Sequence, residues 1–285
     1  MTHRAYVIGT PIGHSLSPVM HNAAFTACGL DARYEAVELD GADLETWIAS
    51  IRDDGATYGF NVTVPHKERI LQHLGGIEGD AELCHAVNTV RLDRANGVRL
   101  VGTNTDTLGF RQSLAEAADM SLRGQRVVIL GAGGAARAIT VVALQDGAAE
   151  IVLANRHIER ARDLLNDLSG LAEDVPIRAV ELSADPVRTA LATATVVINA
   201  TSVGMRSRES PLDPDLLPRS GLVVDIVYNP RRTALLEGAR RRGAVVVEGL
   251  GMLVHQAAAA FEIWTGRPAP VQQMRDAAEH ALGNP

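Results

Sequence analysis

RGQRVVILGAGGAARAITVVALQDGAAEIVLANRH, residues Arg123–His157, is the stretch that decides the fold. Val127–Leu130 is a short apolar run, as expected of a buried strand, and Ile151–Ala154 is a second. Between them, Gly133–Gln145 is alanine-rich with apolar residues at helical spacing. Strand, glycine turn, helix and strand make one βαβ unit. Within it the pattern G-x-G-x-x-A falls at Gly131, Gly133 and Ala136. Gly131 permits the tight turn, and Gly133 lets backbone N–H groups approach a pyrophosphate at the positive end of the helix. Ala136 allows close helix–strand packing. The backbone of Gly131, Ala132, Gly133, Gly134 and Ala135 is therefore expected to line a dinucleotide. The plain alternative is a glycine turn used only for packing; the complete βαβ context favours the nucleotide.

The second strand ends in Ala154-Asn155-Arg156-His157. An NAD site usually presents Asp or Glu there to bond the ribose hydroxyls. Here no acid occurs before Glu159. Arg156 can grip a 2′-phosphate with its planar fork, and Arg160 stands one helical turn further on. NADP is therefore favoured over NAD, against the alternative of a merely solvated arginine.

Outward from this unit, Val196–Ala200, Leu222–Val227 and Val245–Glu248 read as further strands with helical segments between, which implies a parallel sheet flanked by helices. Ser207–Pro218, rich in Pro, Ser and charge, is expected to be a mobile surface loop. Leu253–Thr265 and Val271–Leu282 read as closing helices. Towards the N-terminus, Ala5–Gly9, Tyr34–Leu39 and Gly59–Val64 read as strands. Ser17-Pro18 is read as the cap and first turn of a helix reaching Cys28. Asp43–Arg52 and Glu68–Leu74 are expected helices, Val87–Leu92 and Val98–Gly102 hairpin strands around Arg94–Gly97, and Thr105–Ala118 a helix into a second domain.

In this first third, polar residues collect at strand ends and in the loops that follow, where open α/β sheets bind ligands. They are Ser15, Ser17, Asn61, Thr63, Lys67, Asn88 and Asp106. Singly each has a bland role, as cap, turn residue or surface lysine. Together they offer hydroxyls and amides to a polyhydroxylated ligand, with one lysine and one carboxylate for proton transfer to an alcohol oxygen.

Bulk properties close off other classes. A chain of 285 residues suits two cores. With 27 basic against 34 acidic side chains the net charge is −7, which argues against a nucleic-acid binder. Cys28 and Cys84 have no metal or redox spacing, the histidines show no H-E-x-x-H pattern, and no metal is expected. The N-terminus lacks a signal peptide, and no apolar run reaches the about 18 residues of a membrane span, so a soluble cytoplasmic protein is expected.

The motifs GHSLSPVMHNAAF (Gly13–Phe25), NVTVPHK (Asn61–Lys67), AVNT (Ala86–Thr89) and GTNTDTLGF (Gly102–Phe110) run in order along the chain. LGAGGAARA (Leu130–Ala138), NR (Asn155–Arg156), INATSVGM (Ile198–Met205), DIVYNPRRT (Asp225–Thr233) and EGLGMLVHQAA (Glu248–Ala258) continue them. Over nearly its whole length the sequence resembles the shikimate dehydrogenase family. The resemblance implies an α/β protein of two domains. An N-terminal open α/β substrate domain, residues 1–105, is completed by C-terminal helices at 250–285. A Rossmann NADP-binding domain, 106–249, is inserted between them. It implies reversible reduction of 3-dehydroshikimate to shikimate with NADP(H), in the pathway to chorismate and the aromatic amino acids. Lys67 matches the catalytic lysine and pairs with Asp106. Ser15, Ser17 and Tyr228 match binders of the substrate carboxylate. Thr63, Asn88, Asp106 and Gln256 match contacts to the ring hydroxyls or carboxylate. Thr201, Ile226, Gly249 and Met252 match positions near the nicotinamide. A homodimer stays open.

Two positions depart from the family pattern. His85 stands where glycine is usual before AVNT, and His157 where NRT or NRS is usual, which removes a hydroxyl from the 2′-phosphate site. Two other functions compete: a quinate/shikimate dehydrogenase using NAD, and a relative that senses a metabolite without turnover.

Overall fold

The computed structural model describes residues 2–283 apart from 96 and 173, and the side chain of residue 184 is left aside. It forms two units, Met1–Leu108 with Val254–Pro285, and Gly109–Leu253. The expected hairpin loop Arg94–Gly97 contains Asn96, and the expected substrate domain ends in Met1 and Asn284-Pro285; these lie outside the described residues.

In chain order the first unit contains β1 (His3–Gly9), α1 (Ser17–Ala27), β2 (Ala32–Glu38), α2 (Leu44–Asp53), β3 (Thr57–Val62), β4 (Gly76–Ile77), α3 (Asp80–Cys84), β5 (Thr89–Asp93) and β6 (Arg99–Thr103). The sheet runs β2-β1-β3-β5-β6-β4. β1 is parallel to β2 and β3. β5 is antiparallel to β3 and to β6, the second because a short hairpin joins β5 to β6 and only antiparallel strands can be joined that way. Leu44, Ile48 and Ile51 recur at helical spacing on α2 and are buried with Tyr6, Ile8, Phe60, Val62, Val90 and Leu100.

The expected helix Glu68–Leu74 is a 3-10 turn, Arg69–His73, that buries only Ile70. A five-residue segment with one apolar anchor does not sustain an α-helix. The short elements β4 and α3 have no counterpart in the sequence expectations.

α4 (Asp106–Ala118) leads the chain into the second unit. There follow β7 (Arg126–Leu130), α5 (Gly134–Asp146), β8 (Glu150–Asn155), α6 (Ile158–Asp167), β9 (Ile177–Glu181), α7 (Ala184–Leu191), β10 (Val196–Asn199), β11 (Leu222–Asp225), α8 (Ala234–Arg241) and β12 (Val245–Glu248). α9 (Gly249–Thr265) brings the chain back to the first unit, where α10 (Val271–Leu282) packs on α1. Phe25 of α1 meets Phe261 of α9 with ring centroids 5.6 Å apart.

The second sheet is β12-β11-β10-β7-β8-β9, with every pairing parallel. Read from β9, its strands come third, second, first, fourth, fifth and sixth in the unit, the Rossmann order. The order reverses between β7 and β10, and there Leu130 is level with Asn199 and with Ala154. Asp225 and Glu248 continue the row, so the strand C-termini form one edge. Ser207–Pro218 departs from the expected plain loop. It holds a 3-10 turn at Pro214–Leu216 capped by Asp213, and it buries Leu212 and Leu217 in the core. Two leucines spaced for burial outweigh the polar composition around them.

Candidate active site

The first unit brings its polar motifs together through strand register. Asn61 of β3 lies opposite Thr89 of β5, and Thr89 lies opposite Thr103 of β6. The segment leaving β3, the segment entering β5 and the segment leaving β6 therefore emerge at one edge. They carry Thr63 and Lys67, Asn88, and Thr105 and Asp106 respectively. Backbone bonds lace them together: Val62 N–H donates to the Asn88 carbonyl at 2.8 Å, Asn88 N–H to Thr103 at 3.2 Å, and Val87 N–H to Lys67 at 2.8 Å.

The Lys67 Nζ donates to Asp106 Oδ2 at 2.5 Å, with side chains 15% and 7% exposed. A nearly buried ion pair is weak support for stability, since its desolvation cost offsets the attraction. It is well suited to holding and moving a proton at a ligand oxygen. Asp106 opens α4, and its own N–H donates to Asn104 Oδ1 at 3.0 Å. The Asn88 amide donates to Asp106 Oδ1 at 2.8 Å and to Gln256 Oε1 at 3.4 Å. So Lys67, Asp106, Asn88 and Gln256 form one cluster, with Gln256 supplied by α9 from the far end of the sequence.

Ser17 is not the helix cap that the sequence suggests. The N-cap position is Leu16, and no side chain caps α1. Proline in the first turn has removed one of the N–H groups a cap would bind. Instead Ser15 Oγ accepts from Ser17 N–H at 3.2 Å. Ser17 is buried, and burial pushes the Tyr34 phenol up, with the neighbouring Ser17 hydroxyl offsetting part of that shift. Thr63 donates its N–H to Ile8 at 2.9 Å. Its methyl lies where a Cβ on Gly9 would stand.

In the second unit the glycine turn follows β7. Gly131 has φ +115°, and a Cβ there would lie 3.0 Å from the Ala200 carbonyl, so no other residue fits without strain. A Cβ on Gly133 would meet nothing within 4 Å, which leaves open space over the turn. α5 starts at Gly134 with no side-chain cap. Ala132 lies in the turn and Ala135 in the first helical turn, so the helix starts with uncapped N–H groups beside the open space at Gly133. These residues fit the pyrophosphate of a dinucleotide. Asn155 closes β8, and its amide donates to the His157 carbonyl at 2.8 Å. Arg156 and Arg160 are exposed, and their guanidinium groups have no hydrogen-bond partner among the described residues. His157 is the N-cap of α6 and makes no side-chain cap bond.

Thr201 organises the turn after β10. Its N–H and hydroxyl both donate to Asn199 Oδ1, at 3.0 and 2.7 Å, and its oxygen accepts from Val203 N–H at 3.1 Å. Ile226 and Tyr228 follow β11, and burial pushes the Tyr228 phenol up. Gly249 admits no side chain, because a Cβ would fall 2.3 Å from the Ile226 carbonyl. Met252 is buried on α9.

Asp225 was not singled out from the sequence, yet it is fully buried and joins these turns. It accepts from Asn199 at 2.9 Å, Val227 N–H at 3.0 Å and Thr233 at 2.7 Å. Burial pushes its carboxyl up, against the pull of these three donors. An Asn and an Asp closing neighbouring apolar strands was the available signal. Among the described residues, no group of three or more His, Cys, Asp or Glu is placed to hold a metal, and no helix is long and apolar enough to cross a membrane.

Three family models match. The shikimate dehydrogenase substrate-binding domain covers residues 7–90, the shikimate/quinate 5-dehydrogenase model residues 113–232, and the shikimate 5′-dehydrogenase C-terminal domain residues 249–279. The NADP(+) shikimate dehydrogenase of Methanopyrus kandleri is 45% identical over 274 residues, covering 95% of this chain and 93% of its own. A shikimate 5-dehydrogenase from Thermus thermophilus, solved with NADP(H) and shikimate, superposes with TM-score 0.85 at 36% identity, covering 98% of this chain and 99% of its own. A quinate dehydrogenase from Corynebacterium glutamicum, solved with NAD, superposes with TM-score 0.86 at 30% identity, covering 97% and 98%.

Proposed function

This chain belongs to the shikimate dehydrogenase family, and from that premise we propose that it catalyses the reversible NADP-dependent reduction of 3-dehydroshikimate to shikimate, with Lys67 and Asp106 handling the proton at the C3 oxygen. The observation that carries this assignment is the Lys67–Asp106 contact at 2.5 Å, set among Asn88 and Gln256. Bound NADPH supplies the hydride.

As carbonyl becomes alcohol, a proton must reach the oxygen. Lys67 has N–H donors to give and Asp106 beside it to keep the amine in place. In the reverse direction the same pair accepts the proton. The low exposure of both side chains limits competition from water and strengthens their electrostatic hold on a ligand oxygen. Thr63, Asn88 and Gln256 are assigned to the ring hydroxyls or carboxylate of the substrate. Ser15, Ser17 and Tyr228 are assigned to its carboxylate.

On the cofactor side, the open space over Gly133 and the uncapped start of α5 suit the pyrophosphate. Arg156 and Arg160, exposed and unpartnered among the described residues, suit the 2′-phosphate, while Asn155, Thr201, Ile226, Gly249 and Met252 are assigned to the rest. Lys67→Ala tests the assignment. Turnover of shikimate should fall by about 10²–10⁴-fold, the range for loss of a positioned acid–base group, with the KM for shikimate changed far less. Near-normal turnover would refute it.

A further inference from the structure

The first unit contains a buried run of side-chain hydrogen bonds that the proton chemistry alone does not call for. It begins at Tyr34 on β2, which is 1% exposed. The Tyr34 phenol donates to Asn61 Oδ1 at 2.7 Å. Asn61 Nδ2 donates to Thr89 Oγ1 at 2.9 Å and to the Asn88 carbonyl at 3.1 Å. Thr89 Oγ1 lies 3.0 Å from Asn88 Oδ1. Asn88 Nδ2 donates to Asp106 Oδ1 at 2.8 Å, and Asp106 Oδ2 accepts from Lys67 at 2.5 Å.

The direction of the bonds is fixed by chemistry. Thr105 N–H, which can only donate, lies 2.8 Å from Asn88 Oδ1. The other end of the Asn88 amide, turned to the carboxylate, is therefore its NH2 group. The Asn88 carbonyl, which can only accept, likewise fixes the NH2 end of Asn61. Asn61 Oδ1 is then turned to Tyr34, and the phenol must be the donor. Thr89 Oγ1 accepts from Asn61, so its one proton goes onward, to Asn88 Oδ1 or to the Thr105 hydroxyl 3.1 Å away, and by the Asn88 route each group from Tyr34 to Asp106 donates towards the carboxylate. Bonds aligned in this way polarise and strengthen one another in a low-dielectric interior.

Tyr34 is itself held firmly. The Asn22 side chain bonds both its backbone groups, accepting from its N–H at 2.8 Å and donating to its carbonyl at 3.0 Å. Its ring stacks on His21, centroids 4.3 Å apart and planes 8° from parallel.

We infer that Tyr34 is a positioning residue for the reaction: its hydroxyl fixes the Asn61 amide, and through Thr89 and Asn88 it aims the Asp106 carboxylate at Lys67. This rests on the assignment of Lys67 and Asp106 to the proton. Removing the hydroxyl leaves Asn61 Oδ1 buried without its donor. The amide can relieve this only by turning, which withdraws its bonds to Thr89 and Asn88. The error then reaches Asp106 through the interior, and the Asn88→Ala background separates it from any effect passed to the neighbouring Ser17.

The test is Tyr34→Phe, which keeps the ring and its stacking, measured alone and combined with Asn88→Ala. Asn61→Thr, which breaks the run one link further along, serves as the second variant. Tyr34→Phe and Asn61→Thr should each lower kcat for shikimate oxidation about tenfold while the Kd for NADP is unchanged and the KM for shikimate moves less than kcat. In the Asn88→Ala background, Tyr34→Phe should have no further effect on kcat, because the route is already cut. An unchanged kcat, or the same loss in both backgrounds, would overturn the inference. If the wild-type protein did not oxidise shikimate with NADP, the functional assignment would fail by itself. The side-chain amide signals of Asn88 in nitrogen-15 spectra would then decide the coupling. They shift in Tyr34→Phe if the run is continuous and stay in place if it is not.

Discussion

His21 is fully buried beside Tyr34, and burial lowers its pKa to about 3 from the usual 6.5. It is therefore neutral in the fold and free to take a proton once the chain unfolds. Its folded pKa is depressed, so the stability it secures is present above 6.5 and is lost as pH falls towards about 3. Within that window the loss is about 1.4 kcal/mol per pH unit. Urea unfolding at pH 7.5 and pH 5 should show wild type losing about 2 kcal/mol more than His21→Phe over that interval. Parallel losses would show that His21 also binds its proton in the native state. At this scale the sequence was legible where residues sit in motifs. Lys67, Asp106 and Asn88 declared themselves by position at strand and helix ends. His21, Tyr34, Thr89 and Asp225 did not, because what matters is that they are buried, and burial of a polar side chain is set by distant parts of the chain. In the sequence Asp225 is only an acid after an apolar run; in the fold it joins Asn199 to Thr233.

α3 ends at His85, which has φ 48° and ψ 36°, a left-handed conformation that costs a residue with a Cβ. This gives the departure from the family glycine a physical meaning. The residue is exposed, and its burden is backbone strain. His85→Gly should raise stability by about 0.5–1 kcal/mol in thermal or urea unfolding while leaving kcat for shikimate unaltered. A fall in kcat with no gain in stability would instead make the imidazole part of the substrate site. Long periodic elements such as α5 and α10 were legible from their apolar spacing. β4 with two residues, α3 with five and the 3-10 turn at Arg69–His73 were not, since so short a segment carries no period. β9 was missed for another reason. It is a sheet-edge strand with no buried residue, so it lacks the apolar run that marked β7, β8 and β10.

At the scale of the molecule, two sheets of different kind divide the proposed chemistry. The mixed sheet gathers a lysine, a carboxylate and amides at one edge because antiparallel pairing puts Asn61, Thr89 and Thr103 level. The parallel sheet presents a glycine turn after β7 and Arg156 after β8, with Arg160 in the first turn of α6, both arginines unpartnered among the described residues. The second was legible from Gly131 to Arg156 alone. That the first draws on both ends of the chain was not, because nothing in the composition of α9 and α10 says which unit they complete. Resemblance in family motifs supplied it. The family also reaches beyond one substrate, since the Corynebacterium glutamicum neighbour is a quinate dehydrogenase solved with NAD. Here Arg156 stands where an acid would select NAD, and its guanidinium, unengaged among the described residues, is suited to a phosphate. The most direct measurement is steady-state oxidation of shikimate and of quinate, each with NADP and with NAD. The account predicts that shikimate with NADP gives the highest kcat/KM of the four by about tenfold or more, about 1.4 kcal/mol of selectivity. Quinate with NAD as the best pair, or no turnover of shikimate with either cofactor, would contradict it.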